Sequence, residues 1–427
     1  MKNMISFLRH KSRFNFLFDA EVRKASRLHH LSADALREYE NQAFLKLVRH
    51  AFKKSPFYRT YYQQQGISAG DIKSLDDIRL LPVITRQIVR DNGEKILTCP
   101  KLFTVKGYTS GTSGTPLVVY RSFRSIIIEN AYVWYFRNAH GVNHDSGLVY
   151  LRGNLDNSKL FEWDKSSNSL YLSSFNINAA NIDVYKKLID EFKPKGIMAY
   201  PSSLELLSNE LSKKGLKLNI PIAITSSETL YDFQREKIKE FIGAETFDWY
   251  GNAERTIAIE EWTRGRYHLV PGYSIVEFGP DEDIITTSLI NFAFPLIRYR
   301  VTDSLELADN QPPPSDQYPS TRLMGRIEGR IDDFVHLESG QKIGRLDIAF
   351  KGVNNILLSQ IIQDHISGIR VNIVANERFG ENDKNQLVHN LRSLLGAAIQ
   401  IDVRIVGDKD IIKTAKGKYK LVINRLV

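Results

Sequence analysis

At 427 residues the chain exceeds one ordinary domain of roughly 100–250 residues and suits a large domain joined to a smaller one. Its 42% hydrophobic and 25% charged residues are those of a globular protein, no stretch approaches the roughly 20 apolar residues of a spanning helix, and the charge-interrupted start MKNMISFLRHKSRF reads as no secretory signal. A single cysteine, Cys99, excludes an internal disulfide framework and a multi-cysteine metal site, so a cytoplasmic protein without redox chemistry is expected.

Residues 1–60 hold 13 Lys and Arg against 5 Asp and Glu, which leaves the rest of the chain near neutral although the net charge is +9. Phe7, Leu8, Phe14, Phe16, Leu17 and Phe18 alternate with those cations. Such a segment suits peripheral contact with an anionic membrane or an acidic partner, the alternative being a solvated helical face. No nucleic acid is expected, because the near-neutral body lacks an extended basic stripe.

Between Ser32 and Ser55 the residues Leu36, Phe44, Leu47, Val48, Ala51 and Phe52 recur at helical steps, and Ser55-Pro56 ends the pattern. The first hundred residues read as mainly helical. Next comes Tyr108-Thr-Ser-Gly-Thr-Ser-Gly-Thr-Pro116, with two glycines and five Ser or Thr hydroxyls between the β-like runs LFTVKG and PLVVYR. Glycine lets backbone N–H groups approach a phosphate, and hydroxyls donate without adding charge. The spacing matches neither GxxxxGK[ST] nor GxGxxG nor GxSxG.

From 147 to 301 short β-rich runs (GLVYLRG, GIMAYP, IAITSS, TFDWYG, YSIVEF, IITTSL, PLIRYRV) alternate with longer helical or loop stretches, the rhythm of α/β architecture. Residues 310–320 are proline-rich surface chain. After residue 333, IRVNIVAN and IDVRIVGD flank the helical KNQLVHNLRSLLG, a small α+β unit. The expected fold is therefore α/β, with a large layered domain over 1–331 and a small mobile α+β domain over 332–427.

Four more segments follow the Ser/Thr/Gly loop in order: Trp249-Tyr-Gly-Asn-Ala-Glu254, Pro295-Leu-Ile-Arg-Tyr-Arg-Val-Thr-Asp303, Gly329-Arg-Ile-Asp-Asp333 and Thr414-Ala-Lys-Gly-Lys418. Taken singly, each reads as a strand end, a surface ion pair, an ordinary turn or a solvated tail. Together, and with HAFKKSPFYRTYY and SLDDIRLLPVITR upstream, they resemble the adenylate-forming ligases, in the branch of phenylacetate-CoA ligase and the CapK-type proteins of capsule biosynthesis.

The resemblance implies an enzyme that uses ATP and Mg²⁺ to turn a carboxylic acid into acyl-AMP, then passes the acyl group to coenzyme A or to another thiol or amine acceptor. It implies that Thr109, Ser110, Gly111, Thr112, Ser113, Gly114 and Thr115 cradle the phosphates and that Glu254 holds Mg²⁺, a hard cation suited to carboxylate oxygens. Tyr250 would stack on adenine beside Gly251 and Asn252, while Ser227 and Glu228 join the nucleotide set and, with Tyr200, the neighbourhood of the acid. Asp303 would accept from the ribose hydroxyls with Arg330 helping, Asp332 would be the hinge, and Lys418 would stabilise charge developing during adenylation.

Thr115 stands where many family members carry lysine, and Ala253 where YGxTE has a hydroxyl. These departures motivate the alternative of a nucleotide-binding or scaffold protein of the same fold without turnover. Some relatives bind zinc through a Cys/His cluster after this motif. Here Trp262 and His268 occur without cysteine, so no zinc is expected and His268 reads as a packed or hydrogen-bonded histidine.

Overall fold

The computed structural model describes residues 14–109, 117–152, 155, 159–279, 284–301, 304–308, 323–328, 334–338, 340–343, 346–350, 352–412 and 421–426. The N-terminal region is helical where side-chain caps and apolar spacing dictate it. Helix α1 (Phe16–His29) starts at Asn15, whose Oδ1 accepts from the N–H groups of Leu17 and Phe18 at 3.0 and 3.2 Å. Ser32 caps α2 (Ala33–Lys54), which buries Leu36, Phe44, Leu47, Val48 and Ala51, as their spacing predicts. Ser55 ends α2 and caps α3 (Pro56–Gln64), with Pro56 in the first turn where its missing N–H costs nothing. Helix α4 (Arg86–Asn92) follows, capped by Thr85. No helix among the described residues is long and apolar enough to cross a membrane.

Strands β1 (Thr104–Tyr108) and β2 (Val118–Ser122) pair antiparallel as the stem of the Ser/Thr/Gly loop, and α5 (Phe123–Ala139) follows directly. The large sheet contains β3 (Leu148–Arg152), β4 (Phe161–Asp164), β5 (Ser169–Ser173), β6 (Gly196–Ala199), β7 (Ile222–Ser226), β8 (Glu245–Gly251), β9 (Ala258–Thr263) and β10 (Arg266–Leu269). Its parallel centre runs β5-β3-β6-β7-β8, with β4 and β9 antiparallel at either side.

Period-two alternation sends one residue of each central strand to each face. Val149, Ile197 and Ala223 pack beneath α6 (Ile182–Phe192), α7 (Pro201–Lys213) and α8 (Asp232–Phe241). Leu148, Met198 and Ile224 pack on the other face in the apolar cluster that includes Phe18, Leu28, Ala131 and Tyr132 of α1 and α5. After β8 the expected α/β rhythm stops. YSIVEF and IITTSL become β11 (Ser274–Phe278) and β12 (Ile284–Ser288), which join β13 (Tyr299–Val301) in a separate antiparallel sheet. Alternating strands with no intervening helix are the stable product where the connections are short.

β14 (Ser304–Leu307) and β15 (Leu323–Glu328) extend the large sheet beyond β10. Short β16 (Val335–His336) and β17 (Lys342–Ile343) precede the C-terminal sheet. There β18 (Ile356–His365) and β21 (Val422–Asn424) join β19 (Gly368–Ala375) and β20 (Gln400–Ile405), which run parallel with α9 (Glu381–Leu395) between them. This unit has its own core, including Val371, Ile373, Leu387, Leu391 and Val422. Asp332, where the sequence reading divides the chain, lies outside the described residues.

Two buried polar contacts tie distant parts of the chain together. Tyr58 of α3 donates to the Pro295 carbonyl at 2.9 Å and accepts from the Ile297 N–H at 3.1 Å. In α1, His29 places Nδ1 2.7 Å from the Ala25 carbonyl and Nε2 2.7 Å from Oε1 of Glu260 on β9. A carbonyl only accepts, so Nδ1 donates to it and Nε2 faces the Glu260 carboxyl.

A third cluster lies behind the Trp249-to-Glu254 segment. Thr225 donates to Asp248 Oδ1 at 2.6 Å, the Asp248 N–H donates to Glu261 Oε2 at 2.9 Å, and Arg235 donates to Glu261 Oε1 at 2.7 Å. Burial above all, with the Glu261 carboxylate adding to it, pushes the Asp248 carboxyl up to about 7.

Tyr58→Phe leaves the Pro295 carbonyl and Ile297 N–H without this partner, so it is expected to cost about 1–3 kcal/mol, read as a lower urea midpoint with unchanged far-UV circular dichroism. Because Asp248 holds its proton more tightly folded than unfolded, its contribution to stability is complete below about pH 4 and falls as pH rises toward about 7. The Tm of Asp248→Asn minus that of wild type is therefore expected to grow between pH 5 and pH 8, as thermal melts across that range will show.

Candidate active site

Parallel strands β6, β7 and β8 finish at one edge of the sheet, and their carboxyl ends carry the segments marked by the sequence. After β6, Tyr200 precedes α7. After β7 comes Ser227, in the left-handed region at φ +71°, and then Glu228, whose Oε2 accepts from the Ser202 N–H in the first turn of α7 at 3.0 Å. After β8 comes the turn through Asn252, Ala253 and Glu254. Open α/β sheets form ligand crevices at such an edge.

The Asn252 turn is self-supporting. Asn252 Oδ1 accepts from the Thr256 N–H at 2.9 Å, its Nδ2 donates to Thr256 Oγ1 at 2.8 Å, and Arg255 sits at φ +57°. Left-handed backbone at a non-glycine residue is costly and persists where the surroundings impose it. Gly251 is exposed, whereas the ring of Tyr250, expected against adenine, is 9% exposed and packs in the large core with Ile257 and Ile259.

Glu254 is also only 9% exposed. Its Oε1 accepts from the Tyr299 hydroxyl at 3.0 Å and lies 3.6 Å from Nη1 of Arg86. The other arm of Arg86 donates from Nη2 to Thr109 Oγ1 at 2.7 Å. Thr109, 2% exposed, closes the loop stem by donating its N–H to the Leu117 carbonyl at 3.0 Å and accepting the Leu117 N–H on Oγ1 at 3.2 Å.

One main-chain bridge aligns both partners of Glu254. The Ile84 N–H donates to the Arg298 carbonyl and the Arg300 N–H donates to the Ile84 carbonyl, each at 2.9 Å, which pairs Ile84 with Tyr299. Arg298 itself, at φ +50°, makes a two-pronged pair with Glu277 at 2.9 and 3.0 Å.

The structure thus joins Thr109 to Glu254 through Arg86 and sets Ser227, Glu228 and Gly251–Glu254 on one edge. Ser110, Gly111, Thr112, Ser113, Gly114, Thr115, Asp303, Arg330, Asp332 and Lys418 lie outside the described residues. Arg86 and Tyr299 are additions. Each sits inside a quoted segment, SLDDIRLLPVITR and PLIRYRV, but linear spacing gave no sign that both reach one carboxylate. His268 lies buried in β10, and beside it on β9 are the buried Glu260 and Glu261.

Comparison with known proteins follows the same lines. Residues 336–425 match the family described as the CapK C-terminal domain. The chain is 26% identical over 407 residues to protein CapK of Staphylococcus aureus, covering 92% of this chain and 90% of that protein. It is 22% identical over 443 residues to the phenylacetate-coenzyme A ligase of Pseudomonas putida, covering 95% and 97%. Among solved structures, a 2-hydroxyisobutyryl-CoA ligase in complex with 2-HIB-AMP and CoA shares the fold, with a TM-score of 0.62 at 18% identity over 93% of this chain and 91% of that one. The chain is accordingly a homologue of CapK and of the phenylacetate-CoA ligases, built on the adenylate-forming ligase fold and ending in a CapK C-terminal domain.

Proposed function

We propose that this protein is an ATP-dependent ligase that activates a carboxylic acid as its acyl-AMP and transfers the acyl group to coenzyme A. A carboxylate oxygen attacks the α-phosphorus of ATP, the bond from that phosphorus to the bridging oxygen breaks, and pyrophosphate leaves with the electron pair. The thiol then attacks the acyl carbon and AMP departs. No protein nucleophile is required, so positioning and charge stabilisation carry the rate.

The observation that carries this reading is the Thr109–Arg86–Glu254–Tyr299 chain of contacts at the carboxyl edge of the sheet, in a protein to which the Pseudomonas putida ligase aligns over 95% of the chain. In this reading Thr109 through Thr115 cradle the phosphates, Asp303 and Arg330 hold the ribose, Asp332 is the hinge, and Lys418 meets the charge growing between carboxylate and α-phosphate. Gly251, Asn252, Ser227 and Glu228 complete the nucleotide side, with the Tyr250 ring packed in the core behind them.

Glu254 fits Mg²⁺. It offers hard oxygens at the cleft edge, and Mg²⁺ typically takes one or two carboxylates with the rest of its shell from phosphate and water. Bound there, the ion would neutralise charge on the leaving pyrophosphate. Arg86 and Tyr299 hold the carboxylate in place.

The resemblance to the CapK-type proteins of capsule biosynthesis implies an amine or sugar of surface-polysaccharide biosynthesis as the competitor to coenzyme A. Product analysis with each acceptor decides between them. The basic N-terminal segment is proposed to rest on anionic membrane, and Phe16 and Leu17, both exposed at the start of α1, suit such a contact. Salt-sensitive sedimentation with anionic vesicles is the expected outcome.

In an ATP–pyrophosphate exchange assay over aryl, fatty and amino acids, one acid class is expected to support exchange, and Lys418→Ala to lower it about 100-fold or more. Exchange with no acid while ATP still binds would replace this reading with a nucleotide-binding protein lacking turnover. Arg86→Ala is expected to lower exchange about 10- to 100-fold by freeing Glu254 and Thr109, with partial recovery in Arg86→Lys, which keeps the charge but not the fork.

A further inference from the structure

The wall between the loop stem and the Asn252 turn carries an arginine that the catalytic reading has not used. Arg121 on β2 pairs with Val105, and Gly107 pairs with Val119, two residues nearer the loop. The Arg121 side chain leans along the hairpin over Gly107, where a Cβ would lie 2.6 Å from Cζ, 2.8 Å from Nη2 and 2.9 Å from Nε. Only glycine leaves that space. From this seat Nη2 donates to the Ala253 carbonyl, next to Glu254, while Nε is buried without a hydrogen-bond partner among the described residues.

A second guanidinium stands close by. Arg255, in its left-handed conformation, donates from Nη1 to the Ser125 carbonyl at 3.3 Å, and its own carbonyl accepts from Ser288 Oγ at 2.8 Å. Burial, and after it the charge of Arg255, holds the Arg121 guanidinium below its ordinary pKa. Two carboxylates are near, and both are engaged: Glu129 accepts from the Tyr273 hydroxyl, and Glu254 meets Tyr299 and Arg86. Among the described residues the wall therefore holds three cations, Arg86, Arg121 and Arg255, against two anions, Glu129 and Glu254. Like charges crowded into a partly desolvated wall are costly unless an anion joins them.

We propose that Arg121, seated on Gly107 and backed by Arg255, is a polyphosphate-binding residue that grips the pyrophosphate end of ATP. The planar fork matches two phosphate oxygens at once, which a lone ammonium cannot do. The position favours the polyphosphate over the acid, because the guanidinium lies between the stem that leads to Thr109 and the turn that presents Glu254. This assignment rests on the ATP-dependent reading and adds a residue to it.

The test compares ATP, pyrophosphate and AMP binding to the full-length protein by titration calorimetry with Mg²⁺ present. Arg121→Ala is expected to weaken ATP and pyrophosphate about 10- to 100-fold and AMP less than threefold. Arg121→Gln keeps a donor for the Ala253 carbonyl while removing the charge and carries the same expectation. Gly107→Ala, with Arg121 intact, is expected to reproduce the selective loss by unseating the guanidinium. Wild type that binds ATP alongside Arg121→Gln that binds it within twofold overturns the role of Arg121 and leaves the ligase reading standing. Wild type that binds neither ATP nor pyrophosphate overturns both.

Discussion

The contacts of Glu254 refer back to one strand-like bridge, the pairing of Ile84 with Tyr299. Ile84 belongs to the chain entering α4 and Tyr299 to β13, and two main-chain hydrogen bonds at 2.9 Å hold them in register. Arg86 and Tyr299 reach the same Glu254 oxygen because that register is fixed. Backbone bonds suit this task. They are indifferent to side-chain identity and tie two segments more than two hundred residues apart without using a functional group.

Around the bridge the protein pairs its buried and half-buried carboxylates. Glu254 is matched by a cation and a hydroxyl, Glu277 by the two-pronged Arg298, and Glu261 by Arg235. Removing one member of such a pair strands the other in a low-dielectric setting, so each pair fixes geometry more strongly than its net free energy suggests. The left-handed residues Ser227, Arg255 and Arg298 lie just after β7, in the turn between β8 and β9, and just before β13, where the chain changes direction.

Much of the architecture was legible because hydrophobic periodicity is local. Ser32, Ser55 and Pro56 mark two helix boundaries, and GLVYLRG, GIMAYP, IAITSS and TFDWYG correspond to β3, β6, β7 and β8 of the parallel centre, since strands buried on both faces read as apolar runs; β5, in SLYLS, carries no such run. The antiparallel strands after β8 were harder, because YSIVEF and IITTSL have the same local look whichever sheet they join. In the C-terminal unit β18, ILLSQIIQDH, passed unread. Its glutamines broke the alternation, yet Gln360 and Gln363 are fully buried and bonded to the main chain of Ile412 and His336. At the site the loop and the WYGNAE turn were visible as motifs. Arg86 was not singled out, because an arginine opening a helix looks like any solvated residue until its partners from elsewhere in the chain are in place.

The His29–Glu260 contact spans 231 positions of chain. On the ribosome α1 emerges well before its partner strand, which follows the parallel centre, so the histidine waits while β3 to β8 are synthesised. The contact that fastens α1 to β9 thus forms only after residue 260 has been made, before the partners of Tyr58 and Ile84 exist. Until then α1 has α5, whose Ala131 and Tyr132 share its apolar cluster, but none of the strand whose Glu260 it finally meets.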